Sequence, residues 1–283
     1  MTVPLHTGDR TVTVCSEWSV WDTRCRLVVT DPWAMHRARR VLEEQLTAVD
    51  RVVNPRRAGS VARRLRRDGS AVPVGVLLAE LLGRRPTVRT AEPAPFPYGL
   101  AAVPDGVDVH HPALEPWQLA LDARDGLHLE PGPSPRAWTA QRCAELVAEA
   151  TSCGVLVAVG GDVATSGLAP VGGWRVQLRD APAGPATVVA VDGGAISQIT
   201  TVRVGRGRSE LHRVVVPATG RTVVPEWRSV AVAAADGPAA SAACRGALLR
   251  GTGAAGWLAD LGLPARLVDR AGEVHAVGRW PVD

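Results

Sequence analysis

A Gly-Gly-Asp step at residues 160–162 follows an apolar run in VLVAVGGDVATSG, residues 155–167. Because glycine has no side chain, a strand that ends in Gly160-Gly161 lets a ligand such as a phosphate approach the backbone closely. The step matches neither the G-x-G-x-x-G dinucleotide pattern nor the G-K-[ST] ending of a Walker loop. Two interpretations therefore stay open: a turn that holds a phosphate, or a turn alone.

Other residue types that support catalysis are scattered along the chain. His212 lies between strand and turn patterns in ELHRVVVPATG, from which an imidazole can project at a sheet edge. The sequence has no G-x-S-x-G element of a serine hydrolase. Its five cysteines form no C-x-x-C pair and no Cys/His cluster, which argues against a zinc site or a disulfide scaffold. We predict that these cysteines are buried reduced thiols.

Charge and hydropathy exclude several classes of protein. The 283 residues carry 32 basic and 28 acidic side chains, for a net charge of +4. No basic stripe is interleaved with aromatic residues, so we predict no nucleic-acid partner. No apolar run reaches the roughly 18 residues of a membrane span, and the N-terminus lacks a signal-like region. These features predict a cytoplasmic protein without membrane insertion.

Apolar spacing predicts four longer helices, and a short basic helical turn in AGSVARRLRRDG (58–69) and a short apolar helix in VGVLLAELLG (74–83) are predicted as well. Residues three or four apart predict a helix that begins at Asp31-Pro32 and ends near Asn54. The same spacing returns over residues 135–154, where Gly154 would close the helix. Two Ala-rich helices are predicted near residues 239–250 and 253–261.

Alternating apolar residues and glycine-containing turns predict a strand-rich remainder. Strands are predicted in residues 10–30, 155–161, 173–180, 186–194, 200–207, 211–217 and 227–235, with a last hairpin in 265–278. Because helices and strands do not alternate strictly, the predicted class is α+β, with a mainly antiparallel sheet and packed helices.

Six segments, in this order and spacing, resemble the ApbE family, the FAD:protein FMN transferases. They are SVWDT (19–23), VDRVVNPRRAGSVARRL (49–65), VLVAVGGDVATSG (155–167), GGWRVQLRD (172–180), LHRVVVPATGR (211–221) and GWLADLGLPARLVDRAGEV (256–274). The resemblance implies one ApbE-like domain over residues 1–283, with two lobes as an alternative, of T-fold-related architecture. It leaves out roughly residues 83–129, which are Pro-rich and are predicted to be irregular and shortened.

The same resemblance implies an activity. Family members use a divalent metal, usually Mg²⁺, to cleave the pyrophosphate of FAD and transfer FMN to a Thr or Ser hydroxyl of an acceptor protein. FAD and an acceptor protein are therefore the implied ligand and partner. The Gly-Gly-Asp step is then similar to the family's strand end beside the flavin cleft.

Flavin contacts are carried over from the family's motifs. The motif Asp-Leu-Gly-Gly-Ile-Ala-Lys-Gly-Tyr-Ala-Val-Asp-Arg aligns with EPGPSPRAWTAQR at residues 130–142, and a His-His-x-x-Asp-Pro-x-Thr-Gly motif becomes HRVVVPATG, with Val216 in place of Asp. The flavin-binding residues implied by the resemblance are Thr23, Glu130, Arg136, Trp138, Ser197 and His212.

The metal-binding positions are substituted. The family places an Asp, and a Thr four residues later, at the start of a helix; here Ser241 and Arg245 occupy those positions. Asp236 becomes a ligand only if the register shifts. A guanidinium opposes Mg²⁺ electrostatically, although it pairs well with phosphate. The sequence thus leaves two hypotheses within the family: an active transferase, or a catalytically impaired member that serves as a flavin-binding or protein-interaction module. A third hypothesis is an unrelated globular domain rich in Ala, Val and Arg.

Overall fold

A computed structural model describes the strands and helices of most of the chain. It covers residues 12–54, 57–60, 72–74, 119–121, 133–180, 186–204, 209–212, 214–216, 221–224 and 226–281. The strands are β1 (Val14–Val20), β2 (Thr23–Val29), β3 (Val72–Val74), β4 (Leu119–Leu121), β5 (Val155–Val159), β6 (Asp162–Ser166), β7 (Trp174–Arg179), β8 (Ala186–Val191), β9 (Ala195–Thr200), β10 (Val202–Val204), β11 (Ser209–Leu211), β12 (Val215–Val216), β13 (Arg221–Thr222), β14 (Trp227–Ala234), β15 (Ala265–Asp269) and β16 (Val274–Val277). The α-helices are α1 (Met35–Val53), α2 (Pro133–Thr151), α3 (Gly237–Arg250) and α4 (Ala254–Asp260).

Eight of these strands form one antiparallel sheet. Their order is β1-β2-β5-β6-β9-β14-β15-β16, and each neighbouring pair runs antiparallel. The remaining strands pair as β3 with β4, β7 with β8, β10 with β11 and β12 with β13. The prediction of an α+β fold with a mainly antiparallel sheet is confirmed.

Helices cover one face of the large sheet. At one end, Leu27 of β2 and Val157 of β5 pack with Leu42 of α1 and Ala144 of α2. At the other end, α3 and α4 bury residues such as Leu248 and Leu258 against Val230 of β14 and Leu267 of β15. This division follows from strand alternation, since every second side chain points to the helical face.

The β7–β8 hairpin packs against the opposite face. Trp174 and Leu178 of β7 lie in one buried cluster with Leu156 of β5 and Ile196 of β9. Along β7 the side chains alternate strictly between buried and exposed. The fold thus has three layers: helices, the large sheet and this hairpin.

The first helix forms where its sequence predicts it. The Asp31 carboxylate accepts a hydrogen bond of 2.9 Å from the backbone N–H of Trp33, and Pro32 begins a short 3₁₀ turn that leads into α1. Asn54 is extended and ends the helix. The buried side chains of α1 are those with the predicted spacing, Ala38, Leu42, Leu46, Val49 and Val53.

Several elements differ from the predictions. Helix α2 ends at Thr151 instead of continuing to Gly154, because Ser152 takes the left-handed conformation at φ 54°. Strands β6 and β9 were not predicted, although both lie in the middle of the large sheet. Cys25, Cys143 and Cys244 are buried as predicted, whereas Cys15 is exposed.

Within the predicted irregular segment 83–129, residues 119–121 form strand β4. Most of that segment lies outside the described residues, as do residues 1–11 and 61–71. None of the described helices has the length and apolar character that a membrane span requires.

The Gly-Gly pair forms the two-residue turn between β5 and β6. Val159 pairs directly with Asp162, which leaves Gly160 and Gly161 as the turn, and Gly160 adopts φ 65°. The carbonyl of Gly161 accepts a hydrogen bond of 2.8 Å from the N–H of Gln198 in β9. A Cβ on Gly161 would lie 2.3 Å from the carbonyl oxygen of Gln198. Residue 161 is therefore glycine because two backbones meet there.

We expect Gly161→Ala to lower the free energy of unfolding by about 1–3 kcal/mol, because the methyl group forces the turn away from β9. Gly193→Ala is the matched control: a Cβ there meets no atom within 4 Å, so a change below about 0.5 kcal/mol is expected. Urea unfolding followed by circular dichroism measures both. Equal losses in the two variants would contradict the steric explanation.

Candidate functional site

A buried carboxylate lies at the centre of the candidate site. Asp162, the first residue of β6, pairs in register with Ser197 of β9. Its Oδ1 accepts a hydrogen bond of 2.6 Å from the Ser197 hydroxyl. Both side chains are buried, with Asp162 only 4% exposed. The hydrogen bond therefore links two central strands where water has little access.

The charge on Asp162 depends on its surroundings. Burial raises the pKa of Asp162 to about 7, while the Ser197 hydrogen bond and the positive charges of Arg136 and Arg245 act in the opposite direction. Near neutral pH the carboxyl group consequently exists in both protonation states. Asp162, Ser197, Arg136 and Arg245 are called the arginine cluster below.

Arg136 reaches this cluster from the first turns of α2. Its Nη2 donates a hydrogen bond of 3.0 Å to the backbone carbonyl of Trp21. A Cβ placed on Gly160 would lie 3.7 Å from Nη1 of Arg136 and 2.9 Å from Oγ1 of Thr23. Thr23, Arg136 and the β5–β6 turn thus meet in one place.

The turn that receives Arg136 has an unusual backbone. Trp21 and Asp22 join β1 to β2 with φ values of 49° and 56°, a left-handed conformation that is rare for a bulky side chain. The indole Nε1 of Trp21 donates a hydrogen bond of 2.9 Å to Asp50 of α1. This contact holds the turn in place and directs the Trp21 carbonyl towards Arg136.

Asp50 is a positioning residue that sequence reasoning missed. It also accepts hydrogen bonds from Asn54, at 2.8 Å, and Arg57, at 2.6 Å. Burial alone would raise the pKa of Asp50, but the hydrogen bonds from Asn54, Arg57 and Trp21 outweigh it and hold the pKa below its usual range. The only sequence signal was that Asp50 falls in the segment 49–65 that resembles the family.

Arg245 approaches the cluster from α3. The preceding residue, Cys244, donates a hydrogen bond of 3.0 Å from its thiol to the carbonyl of Ser197, which holds α3 against β9. The Arg245 side chain is partly buried; desolvation lowers its pKa, and the Asp162 carboxylate opposes that effect. Among the described residues, no hydrogen bond or ion pair engages the Arg245 guanidinium.

Ser241 lies one helical turn before Arg245. Its side chain is fully buried, and its hydroxyl has no hydrogen-bond partner among the described residues. A buried hydroxyl without a partner loses the hydrogen bonds that water would make, at a cost of about 1–3 kcal/mol. The position therefore suits a ligand oxygen.

The residues that the resemblance places at the family's metal positions, Ser241 and Arg245, do not fit a divalent metal ion. Mg²⁺ requires oxygen ligands in near-octahedral geometry, but Arg245 offers only N–H donors and a positive charge. Asp236 caps α3, accepting a hydrogen bond of 2.7 Å from the N–H of Ala239. In the part of the chain that the structure describes, no three His, Cys, Asp or Glu side chains come together as a metal site.

The other residues implied as flavin contacts lie elsewhere or outside the described residues. Trp138 is only 1% exposed and packs with Val49 and Val53 of α1. His212 is buried, with Nε2 2.6 Å from the carbonyl oxygen of Trp227. Glu130 lies outside the described residues. Flavin contacts from these three residues stay predictions.

Asp162→Asn should stabilise the protein increasingly as the pH rises from about 4 to about 8. The unfolded chain ionises Asp162 near its ordinary pKa of about 3.9, whereas the folded state holds the proton until about pH 7. The ionised Asp162 carboxylate therefore destabilises the folded wild-type protein most above pH 7. Asparagine does not ionise, and its side-chain oxygen can still accept the hydrogen bond from Ser197. Urea unfolding of both proteins across this range should show a difference that grows to a few kcal/mol; parallel profiles would contradict it.

Solved structures of similar fold were found by structural comparison. The Pseudomonas stutzeri flavinyl transferase ApbE, in its apo form, matches with a TM-score of 0.71 and 14% identity, and 95% of each chain is covered. The Thermotoga maritima ApbE protein gives a TM-score of 0.68 and 14% identity over 94% of this chain and 97% of that one. The Vibrio cholerae flavin transferase ApbE gives 0.61 and 16% over the same shares.

Comparison with curated protein sequences gives no match. The model of the ApbE family matches residues 84–267, more than half of the chain. This segment contains α2, the β5–β6 turn and α3, and so it includes every member of the arginine cluster. The chain therefore belongs to the ApbE family.

Proposed function

We propose that this chain is an FAD:protein FMN transferase, which moves FMN from FAD to a Thr or Ser hydroxyl of an acceptor protein. The observation that carries the proposal is the arginine cluster. The positive charges of Arg136 on α2 and Arg245 on α3 both lower the pKa of the buried Asp162 carboxyl group, and Arg136 lies beside the β5–β6 turn. Such an arrangement suits an anionic pyrophosphate. Membership of the ApbE family supports the flavin as the rest of the substrate.

The residues of the cluster have different roles in this proposal. Arg136 and Arg245 bind the phosphate oxygens and stabilise the negative charge that moves to the leaving group. The Ser197–Asp162 hydrogen bond ties the first residue of β6, directly after the β5–β6 turn, to β9, and Thr23 lies beside the same turn. Trp21 and Asp50 keep Arg136 in position.

The transfer itself is a substitution at phosphorus. The acceptor hydroxyl oxygen forms a bond to the phosphorus on the FMN side, and the bond from this phosphorus to the bridging oxygen breaks. AMP leaves with the bridging oxygen, and the hydroxyl proton is released to solvent. The proposed transfer uses no metal ion, because Ser241 and Arg245 do not provide a set of metal ligands.

The protein is also proposed to form a single domain and to be located in the cytoplasm.

The test is covalent labelling of an acceptor. Purified protein is incubated with FAD and an acceptor that carries a D-x-x-[ST]-G-A-[ST] sequence, once with Mg²⁺ and once with EDTA, and flavin fluorescence is read on a denaturing gel while AMP release is quantified. We expect labelling and AMP in equal amounts. Arg136→Gln should lower kcat/KM by about 100-fold or more, since it removes charge stabilisation at the pyrophosphate.

Two controls make the result decisive. An acceptor with Val in place of the modified Thr should stay unlabelled, and Arg175→Gln, an exposed change in β7 on the opposite layer, should keep wild-type activity. FAD binding without any labelling, beside an active homologue as positive control, would overturn the transferase and favour the flavin-binding module.

A further inference from the structure

We infer that Arg245 takes the place of the family's metal ion, so that the Arg136–Arg245 pair holds the FAD pyrophosphate without a divalent cation. The inference rests on the proposed function and specifies the ionic requirement of the same site. It follows from the position of Arg245, from the charges around Asp162, and from the Ser241 hydroxyl, which has no hydrogen-bond partner among the described residues.

The resemblance places Arg245 at the position of the family's metal-binding Thr on α3. The Cys244–Ser197 hydrogen bond of 3.0 Å anchors this turn of the helix to β9. Among the described residues its guanidinium has no hydrogen-bond partner. The fold therefore anchors the turn of α3 that carries Arg245, and within the described residues no partner competes with a ligand for its guanidinium donors.

The charge balance favours an anion over a cation. Arg136 and Arg245 both act on Asp162, and this carboxylate is itself buried and hydrogen-bonded to Ser197. Within the described residues, a divalent cation would add a third positive centre beside the two guanidinium groups whose charges act on the Asp162 carboxylate. A pyrophosphate instead supplies negative charge where the two arginines lie.

Ser241 supplies a second polar group for the same ligand. Its buried hydroxyl, without a partner among the described residues, lies one turn from Arg245 on α3. A hydroxyl can donate to a phosphate oxygen, and a guanidinium can bind two such oxygens at once. Hydrogen bonds from Ser241 and Arg245 would thus offset the negative charge of the phosphate, as a metal ion does in other members of the family.

The deciding experiment measures binding with and without metal. The full chain is titrated with FAD by flavin fluorescence, once in EDTA and once in Mg²⁺, and with ADP by calorimetry in the same buffers. Wild-type FAD affinity should agree within about twofold between the buffers. Arg245→Gln should weaken binding of FAD and ADP by about tenfold or more, because a charge-assisted contact is lost.

Matched variants separate charge from folding. Arg245→Lys keeps the charge but not the forked donors and should lose less affinity than Arg245→Gln. Arg175→Gln, exposed in β7, should bind like wild type. Circular dichroism melts report whether each variant is folded, and the comparison of EDTA with Mg²⁺ needs no variant at all.

Three results have distinct meanings. Loss of wild-type FAD binding in EDTA, or wild-type affinity in folded Arg245→Gln, would overturn the inference and leave the proposed function standing. Failure of wild type to bind FAD in either buffer would overturn the proposed function. The ADP titration then decides the inference: binding in EDTA that Arg245→Gln weakens supports it, and no binding overturns it.

Discussion

The site depends on one constraint: a carboxylate is buried between the central strands of the sheet. Removing Asp162 from water is unfavourable unless hydrogen bonds and opposite charges surround it. Ser197 supplies the hydrogen bond from β9, while Arg136 and Arg245 bring positive charge from α2 and α3. Two helices and two strands thus meet around one group, and the position of that group sets where a ligand can bind.

Local patterns predicted much of the scaffold. Helix α1, the β7–β8 strands, the Ala-rich helices and the β15–β16 hairpin all form where spacing or alternation places them. Strand β9 was missed because AISQIT mixes apolar and polar residues over only six positions, too few to define a period. Its place in the sheet comes from pairing with β6 and β14, which are distant in sequence.

The site itself was only partly predictable. Resemblance to the family selected Thr23, Arg136, Ser197 and Arg245. The structure brings Thr23 and Arg136 to the β5–β6 turn, bonds Ser197 to Asp162, and lets the charge of Arg245 act on that carboxyl group. It could not show that Asp162 and Ser197 are hydrogen-bonded, since they are 35 residues apart in the chain. Nor could it show the left-handed turn at Trp21, because nothing in the residue types Trp-Asp demands that conformation. Both features depend on tertiary contacts.

A positive charge carried by the Arg245 side chain differs from one carried by a bound metal ion in its dependence on the solution. A metal ion arrives from solution, competes with other ions and can be withdrawn by a chelator, so its occupancy varies with supply. A side chain on α3 is made with the polypeptide and keeps its charge over the whole physiological pH range. On the proposed role of Arg245, the positive charge opposite the phosphate is encoded in the sequence of this family member and is not taken up from the medium.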